Sequence, residues 1–164
     1  MASSGASTAI QVVLAIIIVA LGYLLFKVIR DPQVEFEARE RADALGRERM
    51  DDVRTALSAY RDANDAYPMR LDTLAAALRN DTTFVAPTGS DDEPRMQPFA
   101  LDSLTRSART GEPFNYEVVI ERDSTGAELS ISNAIYWLQD PGAEADSIGS
   151  RAYNPARRNA ASWE

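Results

Sequence analysis

The sequence predicts an α+β fold in which a membrane helix leads into a long amphipathic helix that packs on a small antiparallel β-sheet. The first observation is the apolar run from Ile10 to Ile29, IQVVLAIIIVALGYLLFKVI. The second is a helical pattern from Gln33 to Asn64. The third is a pair of alternating stretches, Phe114–Ile120 and Glu128–Leu138, which are typical of strands.

The apolar run has the length of a membrane-spanning helix. At about 1.5 Å per residue it covers about 30 Å, the thickness of the hydrocarbon core of a bilayer. A helix also satisfies its own backbone polar groups, which lipid cannot do. A cleaved signal peptide would have a shorter apolar core, a basic start and a small-x-small cleavage site after it. We therefore expect an uncleaved anchor, and a run that is apolar on all sides argues against a buried core helix.

Charge separates the anchor from the rest of the chain. All 25 acidic residues lie after Arg30, against 15 of the 17 basic residues, so this part carries 15 − 25 = −10. An acidic surface without a basic stripe repels nucleic acid, so we predict no nucleic-acid partner. The chain has no Cys and no His, which excludes disulfides, thiol nucleophiles and a Ser-His-Asp site.

The stretch after the anchor predicts one long helix with two characters. A break or kink is expected at Asp31-Pro32, because proline lacks an N–H and disfavours a helical residue before it. From Met50 to Tyr60 apolar residues recur three and four apart, which predicts a face that packs on the rest of the domain. The earlier part carries acid-first pairs four residues apart, such as Asp43/Arg47, which are typical of a solvated helix face.

The remaining predicted elements are shorter. The segment NDAYP at 64–68 ends the long helix, and Leu71 to Leu78 predicts a second helix. A turn signal, DSTG, separates the two predicted strands, which therefore form an antiparallel hairpin. The residues predicted to share the core face of the hairpin are Phe114, Tyr116, Val118, Ile120, Leu129 and Ile131, with Ala134, Tyr136 and Leu138 after an adjustment near Asn133.

These features divide the chain into five parts. They are a disordered N-terminus (1–9), a transmembrane anchor (10–30), a helical stalk (31–49), an α+β head (50–140) and an irregular tail (141–164). The tail is assigned as irregular because it is polar and interrupted by Gly and Pro.

Residues 53–78, VRTALSAYRDANDAYPMRLDTLAAAL, carry a resemblance to a known plan. An apolar helix ending in Tyr60, an acidic turn, Tyr67-Pro68 and a Leu-rich short helix resemble type IV pilins and type II secretion pseudopilins. The resemblance covers 10–78 and, more loosely, 114–138. It implies a pilin-like head and a place in an envelope assembly. The prepilin-peptidase pattern is absent, since Gly5 precedes Ala6 and no acidic residue lies within the anchor.

The chain is also similar to a set of single-anchor proteins of Bacteroidota that have no assigned activity. The shared features are the anchor ending near Asp31-Pro32, the charged stretch that follows it, the helix around Val53–Ala56, the strands within 114–138 and the stretch NAASWE at 159–164. Those proteins carry basic residues before the anchor, and this chain does not. This second resemblance implies an architecture and no activity.

Calcium is the one ligand for which the sequence offers candidates. Asp140, Glu144 and Asp146 follow the predicted strands, where major pseudopilins carry a calcium loop, and carboxylates are the hard oxygen ligands that calcium takes. The acidic run Asp91–Glu93 is a second candidate set. Neither set follows the EF-hand spacing, and a solvated acidic loop is the alternative. We predict no other cofactor and no enzymatic activity, because no local pattern singles out a catalytic pair of carboxylates.

Three sets of residues are predicted to contact partners. Small residues in the anchor allow helices to approach closely in lipid, apolar residues in the charged stretch face neighbouring subunits, and one aromatic residue docks either on its own domain or in a partner groove. The three sets are Ala15, Ala20 and Gly22; Val34, Phe36 and Leu45; and Trp163.

Two arguments disagree about the side of the membrane. Lys27, Arg30, Arg39 and Arg41 lie at or after the end of the anchor and no basic residue precedes it, which by the positive-inside rule predicts a cytoplasmic head. The pilin-like plan predicts a periplasmic head. We favour the periplasm, because the resemblance involves several features and the rule has exceptions for short N-terminal tails.

The sequence thus predicts a structural or accessory subunit of a cell-envelope assembly, pilus-like or secretion-associated. It is held in the bilayer of the inner membrane by residues 10–30 and associates through its helix with itself or with other envelope proteins. The alternative function is a tethered binding module that presents loops or its tail to a partner protein.

Overall fold

The computed structural model describes residues 4–89 and 94–164. It contains two helices, α1 (Ser4–Asn64) and α2 (Leu71–Asn80), and three strands, β1 (Asn115–Val119), β2 (Ile135–Asp140) and β3 (Ala143–Gly149). Three short 3-10 turns lie at Leu101–Ser103, Ile131–Asn133 and Pro155–Arg157. These elements confirm the α+β class. The chain divides into two compact units, Met1–Arg41 and Ala42–Glu164, and each is described by itself.

The first unit consists of the N-terminal part of α1. Its stretch Ile10–Lys27 is long and apolar enough to cross a membrane, and all of its side chains are exposed. This exposure rules out a core helix buried within the described residues and is consistent with a single membrane anchor. The helical assignment continues through Asp31-Pro32, so the predicted break is not confirmed. Of the N-terminus predicted to be disordered, residues 1–3 lie outside the described part, and α1 begins at Ser4.

The second unit is built on the C-terminal part of α1. Met50, Val53 and Leu57 are fully buried, and Tyr60 packs against the same core, which confirms the predicted apolar face. The helix ends at Asn64, and Asp65 turns the chain with a φ of 55°. The next helix, α2, buries the side of Leu71, Leu74, Ala75 and Leu78, as its spacing predicts.

The sheet has the order β1-β2-β3 with antiparallel pairing throughout, so the predicted hairpin is confirmed. On the face toward the helices, Tyr116 pairs with Leu138, Val118 with Tyr136, and Leu138 with Ile148. On the opposite face Ile135 and Trp137 are also buried, and the guanidinium of Arg151 lies 3.8 Å from the centre of the Trp137 ring. Both faces of the central strand are therefore covered.

The second predicted strand is shorter than its alternating pattern indicates. The 3-10 turn Ile131–Asn133 interrupts the alternation, and β2 begins only at Ile135. Leu129 is 54% exposed and Ile131 43% exposed, so their prediction as core-facing residues is wrong. The adjustment predicted near Asn133 is this turn, and Tyr136 and Leu138 after it are buried as predicted.

The predicted boundaries of the head are too narrow on both sides. The compact unit starts at Ala42, within the predicted stalk, and Gly46 is already buried there. The segment predicted to be an irregular tail contains β3, whose residue Ile148 is fully buried against the core. This strand is weak in local β-propensity, and its pairing with β2 and its buried side chains decide its structure.

Gly149, at the end of β3, is expected to tolerate no side chain. Its φ is +83°, and a Cβ placed there would overlap the carbonyl oxygen of Tyr136. Gly126 has a similar φ of +85°, with open space around a Cβ. We expect Gly126→Ala to lower the free energy of unfolding by about 1–2 kcal/mol, because alanine pays the cost of the left-handed backbone. We expect Gly149→Ala to lower it by more than about 4 kcal/mol, because β3 must also move away from β2 to make room for the Cβ.

The measurement is urea-induced unfolding of the full chain in mild detergent, followed by tryptophan fluorescence. Gly126→Ala serves as the control for backbone strain alone. Equal losses in the two variants would contradict the close approach of β2 and β3 at Gly149.

Candidate functional site

The most tightly built polar site in the head surrounds Arg109. Its guanidinium lies 2.6 Å from Asp140 Oδ2, through Nη1, and 2.5 Å from Asp146 Oδ2, through Nη2. Asp43 Oδ1 lies 3.1 Å from the Nε atom, without the alignment of a hydrogen bond. Only 7% of the Arg109 side chain is exposed, and Asp140 is fully buried. We call Arg109, Asp43, Asp140 and Asp146 the arginine cluster.

Two glycines make room for the arginine cluster. A Cβ at Gly46, on α1, would lie 2.7 Å from Arg109 Cζ, and a Cβ at Gly142, in the β2–β3 turn, would lie 2.9 Å from Arg109 Cβ. The backbone N–H of Gly142 also donates to Asp140 Oδ1 at 2.8 Å. Burial by itself lowers the pKa of Arg109, but its hydrogen bond to Asp146 and the charges of Asp140 and Asp43 outweigh it, and the net shift of the pKa is upward.

Two of the three residues predicted to bind calcium belong to the arginine cluster. The carboxylates of Asp140 and Asp146 are bound to Arg109, and Arg47 pairs with Asp146 as well, at 3.3 Å. Glu144 lies exposed on β3, where its carbonyl accepts from the side chain of Gln139. Within residues 4–89 and 94–164 no three carboxylates lie close enough together to hold a metal ion. The structure thus does not bring this ligand set together, and the second set, Asp91–Glu93, lies outside the described residues.

A second polar site ties the loop around residues 94–97 to α1. Arg95 lies 2.7 Å from Asp52 and 3.1 Å from Glu48, and Glu48 also accepts from the backbone N–H of Met96 at 2.9 Å. Asp52 is buried, and its Oδ1 atom has no hydrogen-bond partner among the described residues. Burial raises the pKa of Asp52 above its ordinary value in spite of Arg95. This site holds the loop against α1 through Arg95 and leaves one carboxylate oxygen of Asp52 without a hydrogen bond.

The aromatic residues of the head behave as core residues, as the sequence predicts for them. The Tyr67 and Tyr136 rings meet edge to face at 5.0 Å, and Tyr116 donates its hydroxyl to the carbonyl of Pro68 at 2.8 Å. Burial raises the pKa of Tyr116 and of Tyr136 well above the usual range. The three rings therefore stay neutral and fill space between α2 and the sheet.

Two of the three predicted contact residues of the anchor line one groove, and the third, Gly22, lies outside it. A shallow apolar groove, which we call the anchor groove, is lined by Val12, Ala15, Ile16, Val19, Ala20 and Tyr23. Ala15 and Ala20 thus belong to it, and Gly22, exposed as well, lies seven residues from Ala15, two helical turns along the same side. The three small residues are exposed, as packing between helices in lipid requires.

The second set of contact residues is divided between the two units. Val34 and Phe36, in the first unit, are 59% and 63% exposed in a stretch of α1 whose neighbouring residues at 35–41 are mostly charged. The side chains of Glu35 and Arg39 form the predicted pair beside them, at 3.9 Å. Leu45 belongs to the second unit and is half-buried, so it presents less apolar surface than the other two.

Trp163 docks on its own domain, one of the two outcomes that the sequence leaves open. It packs against the core, and the guanidinium of Arg47 lies 5.7 Å from its ring centre. The neighbouring Ala161 forms a bridge with Ile148 of β3. Arg54 on α1 pairs with Glu164 at 2.7 Å. The last residues of the chain therefore connect α1 with the sheet.

No local pattern in the sequence predicts the role of Arg109. Asp43 and Arg47 are predicted to form one solvated pair four residues apart, whereas each pairs with a residue from another part of the fold. One local signal was available. Gly46 interrupts a strong helical pattern, and a glycine inside a helix often marks the close approach of another group.

The chain matches no protein-family model, no curated protein and no solved structure. The similarity to pilin-like proteins and to single-anchor proteins of Bacteroidota therefore remains a prediction from the residues quoted for it.

Replacement of Arg109 tests how far the head depends on the arginine cluster. Arg109→Met keeps the apolar stem but leaves Asp140 and Asp146 without their main cation, so we expect a loss of about 3–5 kcal/mol in the free energy of unfolding. Arg122→Met is the control, because the Arg122–Glu128 pair is exposed and exposed pairs contribute about 1 kcal/mol or less. Urea unfolding of both variants, measured as above, makes the comparison. A loss no greater than that of the control would remove the cluster from its central role.

Proposed function

We propose that the protein is a membrane-anchored structural or accessory subunit of a cell-envelope assembly, pilus-like or secretion-associated, that associates through α1. The observation that carries this proposal is the stretch Ile10–Lys27, which is apolar and exposed on every side. Such a surface is stable only in lipid or against other apolar helices.

The anchor groove supports association between helices within the bilayer. In lipid there is no hydrophobic driving force between helices, so contact depends on close packing of the helix backbones, which small residues permit. Ala15 and Ala20 line the anchor groove, and Gly22 lies on the Ala15 side of the helix. We propose that this side faces a second helix of the assembly and the other sides face lipid.

The exposed residues Val34 and Phe36 extend the proposed contact beyond the anchor. Two large apolar side chains on a charged helix would be left in water unless a neighbouring subunit covers them. The charged residues around them keep the stretch soluble until that contact forms.

The head supports a structural role better than a tethered binding module. Its buried arginine is paired with aspartates, its tyrosines fill the core, and Trp163 is docked on its own domain. Trp163, which the alternative function would present to a different protein, thus lies in a site that residues of this chain build.

For the side of the membrane we propose the periplasm, following the pilin-like plan. The chain has no cysteine, so a single one introduced by Ser103→Cys reports the location of the head. We expect an impermeant maleimide to label this variant in intact cells whose outer membrane has been permeabilised. Labelling only after lysis would place the head in the cytoplasm, as the basic residues after the anchor predict.

Cysteine crosslinking within the bilayer tests the association itself. We expect Ala15→Cys to form a disulfide-linked dimer several-fold more efficiently than Ile17→Cys, measured in native membranes with a mild oxidant. Two residues rotate the helix by about 200°, so Ile17 lies near the opposite side at nearly the same depth. The pair of variants therefore differs in helix face and hardly in membrane position.

Two results would count against the proposal. Equal crosslinking at the two positions would indicate random collision of anchors, and the absence of crosslinks at every position of the anchor groove would indicate a protein that does not associate through this helix. Association with a different envelope protein would appear instead as a crosslinked species of another mass.

A further inference from the structure

The last seven residues of the chain lie beside β3 and pair with it through one isolated bridge. We call residues 158–164 the edge segment. The backbone N–H of Gly149 donates to the carbonyl of Ala160 at 3.0 Å, and the N–H of Ser162 donates to the carbonyl of Ser147 at 2.8 Å. Ala161 lies opposite Ile148 in antiparallel pairing. The edge segment therefore occupies the outer edge of β3.

The groups that receive the edge segment belong to the rest of the head. They are the backbone of β3, Arg47 beneath the Trp163 ring, and Arg54, which donates to the carbonyl of Asn159 at 3.2 Å and pairs with Glu164. We call this set the acceptor edge. The acceptor edge consists of residues of α1 and β3, so it can bind the edge segment of its own chain or that of another copy.

The attachment of the edge segment is narrow. Its contacts with β3 itself are one bridge, the two backbone hydrogen bonds and one hydrogen bond from the N–H of Ser147 to Ser162 Oγ, at 3.0 Å; the side-chain contacts with Arg47 and Arg54 given above complete the attachment. Ala160, Ser162 and Glu164 are exposed, and Ala161 and Trp163 are only partly buried. A strand held by so few contacts separates from the sheet far more readily than β2 does.

We propose that the acceptor edge is a docking site for the edge segment of a second copy of this chain, so that neighbouring subunits exchange these strands. An exchanged strand makes the same contacts as the strand of its own chain, so the balance depends on the linker and on the local concentration of copies. The linker between β3 and the edge segment contains Pro155 in a short 3-10 turn and is largely exposed. This inference depends on one part of the proposed function, namely that several copies of the chain are anchored in the same membrane.

Charge favours a second copy as the partner. Residues 150–164 contain Arg151, Arg157 and Arg158 against Glu164 and carry 3 − 1 = +2. Residues 31–149 hold the other 12 basic and 24 acidic residues and carry 12 − 24 = −12. The donated segment is therefore the basic part of an acidic chain, and the acidic head of a second copy attracts it as its own head does.

The experiment uses two versions of the full chain, differently tagged and reconstituted together in phosphatidylcholine vesicles. One carries Ser147→Cys at the acceptor edge, and the other carries Ala160→Cys in the edge segment. Neither change removes a backbone contact, and the two positions are diagonal neighbours across the pairing, about 7–8 Å apart. A short bis-maleimide joins two such thiols without requiring disulfide geometry. We expect a mixed crosslinked dimer whose yield rises with the density of protein in the vesicle.

The control replaces Ala160→Cys by Ser124→Cys, which lies exposed in a turn and makes none of the edge contacts. Exchange predicts a several-fold higher yield of mixed dimer for Ser147→Cys with Ala160→Cys than for Ser147→Cys with Ser124→Cys. Adding Trp163→Ala to the chain that carries Ala160→Cys should lower the yield of mixed dimer several-fold. Equal yields for the two pairs at every density would overturn the proposal.

A further variant carries both Ser147→Cys and Ala160→Cys in one chain. The crosslinker should join the two cysteines within that chain, and failure to do so would show that the edge segment does not occupy β3, which also overturns the proposal. Crosslinking through Ala15→Cys in the same vesicles reports helix association separately. A positive result at Ala15 with no mixed dimer at the edge would reject strand exchange and leave the proposed function intact.

Discussion

The second unit depends on the burial of one guanidinium among three carboxylates. Arg109 meets Asp43 on α1, Asp140 at the end of β2 and Asp146 on β3, so a single side chain fixes the helix against both strands. A buried ion pair is stable only if nearly all of its polar atoms find partners. That requirement sets the distance between α1 and the β2–β3 turn. Gly46 on α1 and Gly142 in the turn let the backbone approach the Arg109 side chain, since a Cβ at either position would overlap it.

The apolar core reinforces the same arrangement from the other side. The stripe of Met50, Val53 and Leu57 packs toward Tyr136, Leu138 and Ile148, while α2 closes the end of the layer. The apolar contacts supply most of the stabilisation but are not directional. The arginine cluster adds direction, because a guanidinium donates its hydrogen bonds in the plane of its N–H groups.

What the sequence reveals follows from the range of each interaction. Amphipathic helices and alternating strands leave periodic signals within a dozen residues. The packing face of α1 is therefore predictable from Met50 and its neighbours, and that of α2 from Leu74 and its neighbours. The strands β1 and β2 are predictable in the same way from the alternation around Tyr116 and Tyr136. The arginine cluster joins residues 43, 109, 140 and 146, and no local pattern links them. The third strand, β3, is missed for the same reason, since its structure comes from its partners. The apolar surface of the anchor is predictable because its length and composition are local features of the sequence.

The edge segment also bears on the solubility of the sheet. An open sheet presents two edges with unpaired backbone groups, and such edges join to one another in aggregates. Here the outer edge of β3 is covered by residues 158–164, and the edge of β1 is short and carries the exposed Glu117 at its centre. One edge is thus protected by the chain itself and the other by a charge. Proteolytic removal of those few residues would uncover the outer edge of β3, and the head would then tend to aggregate through its sheet.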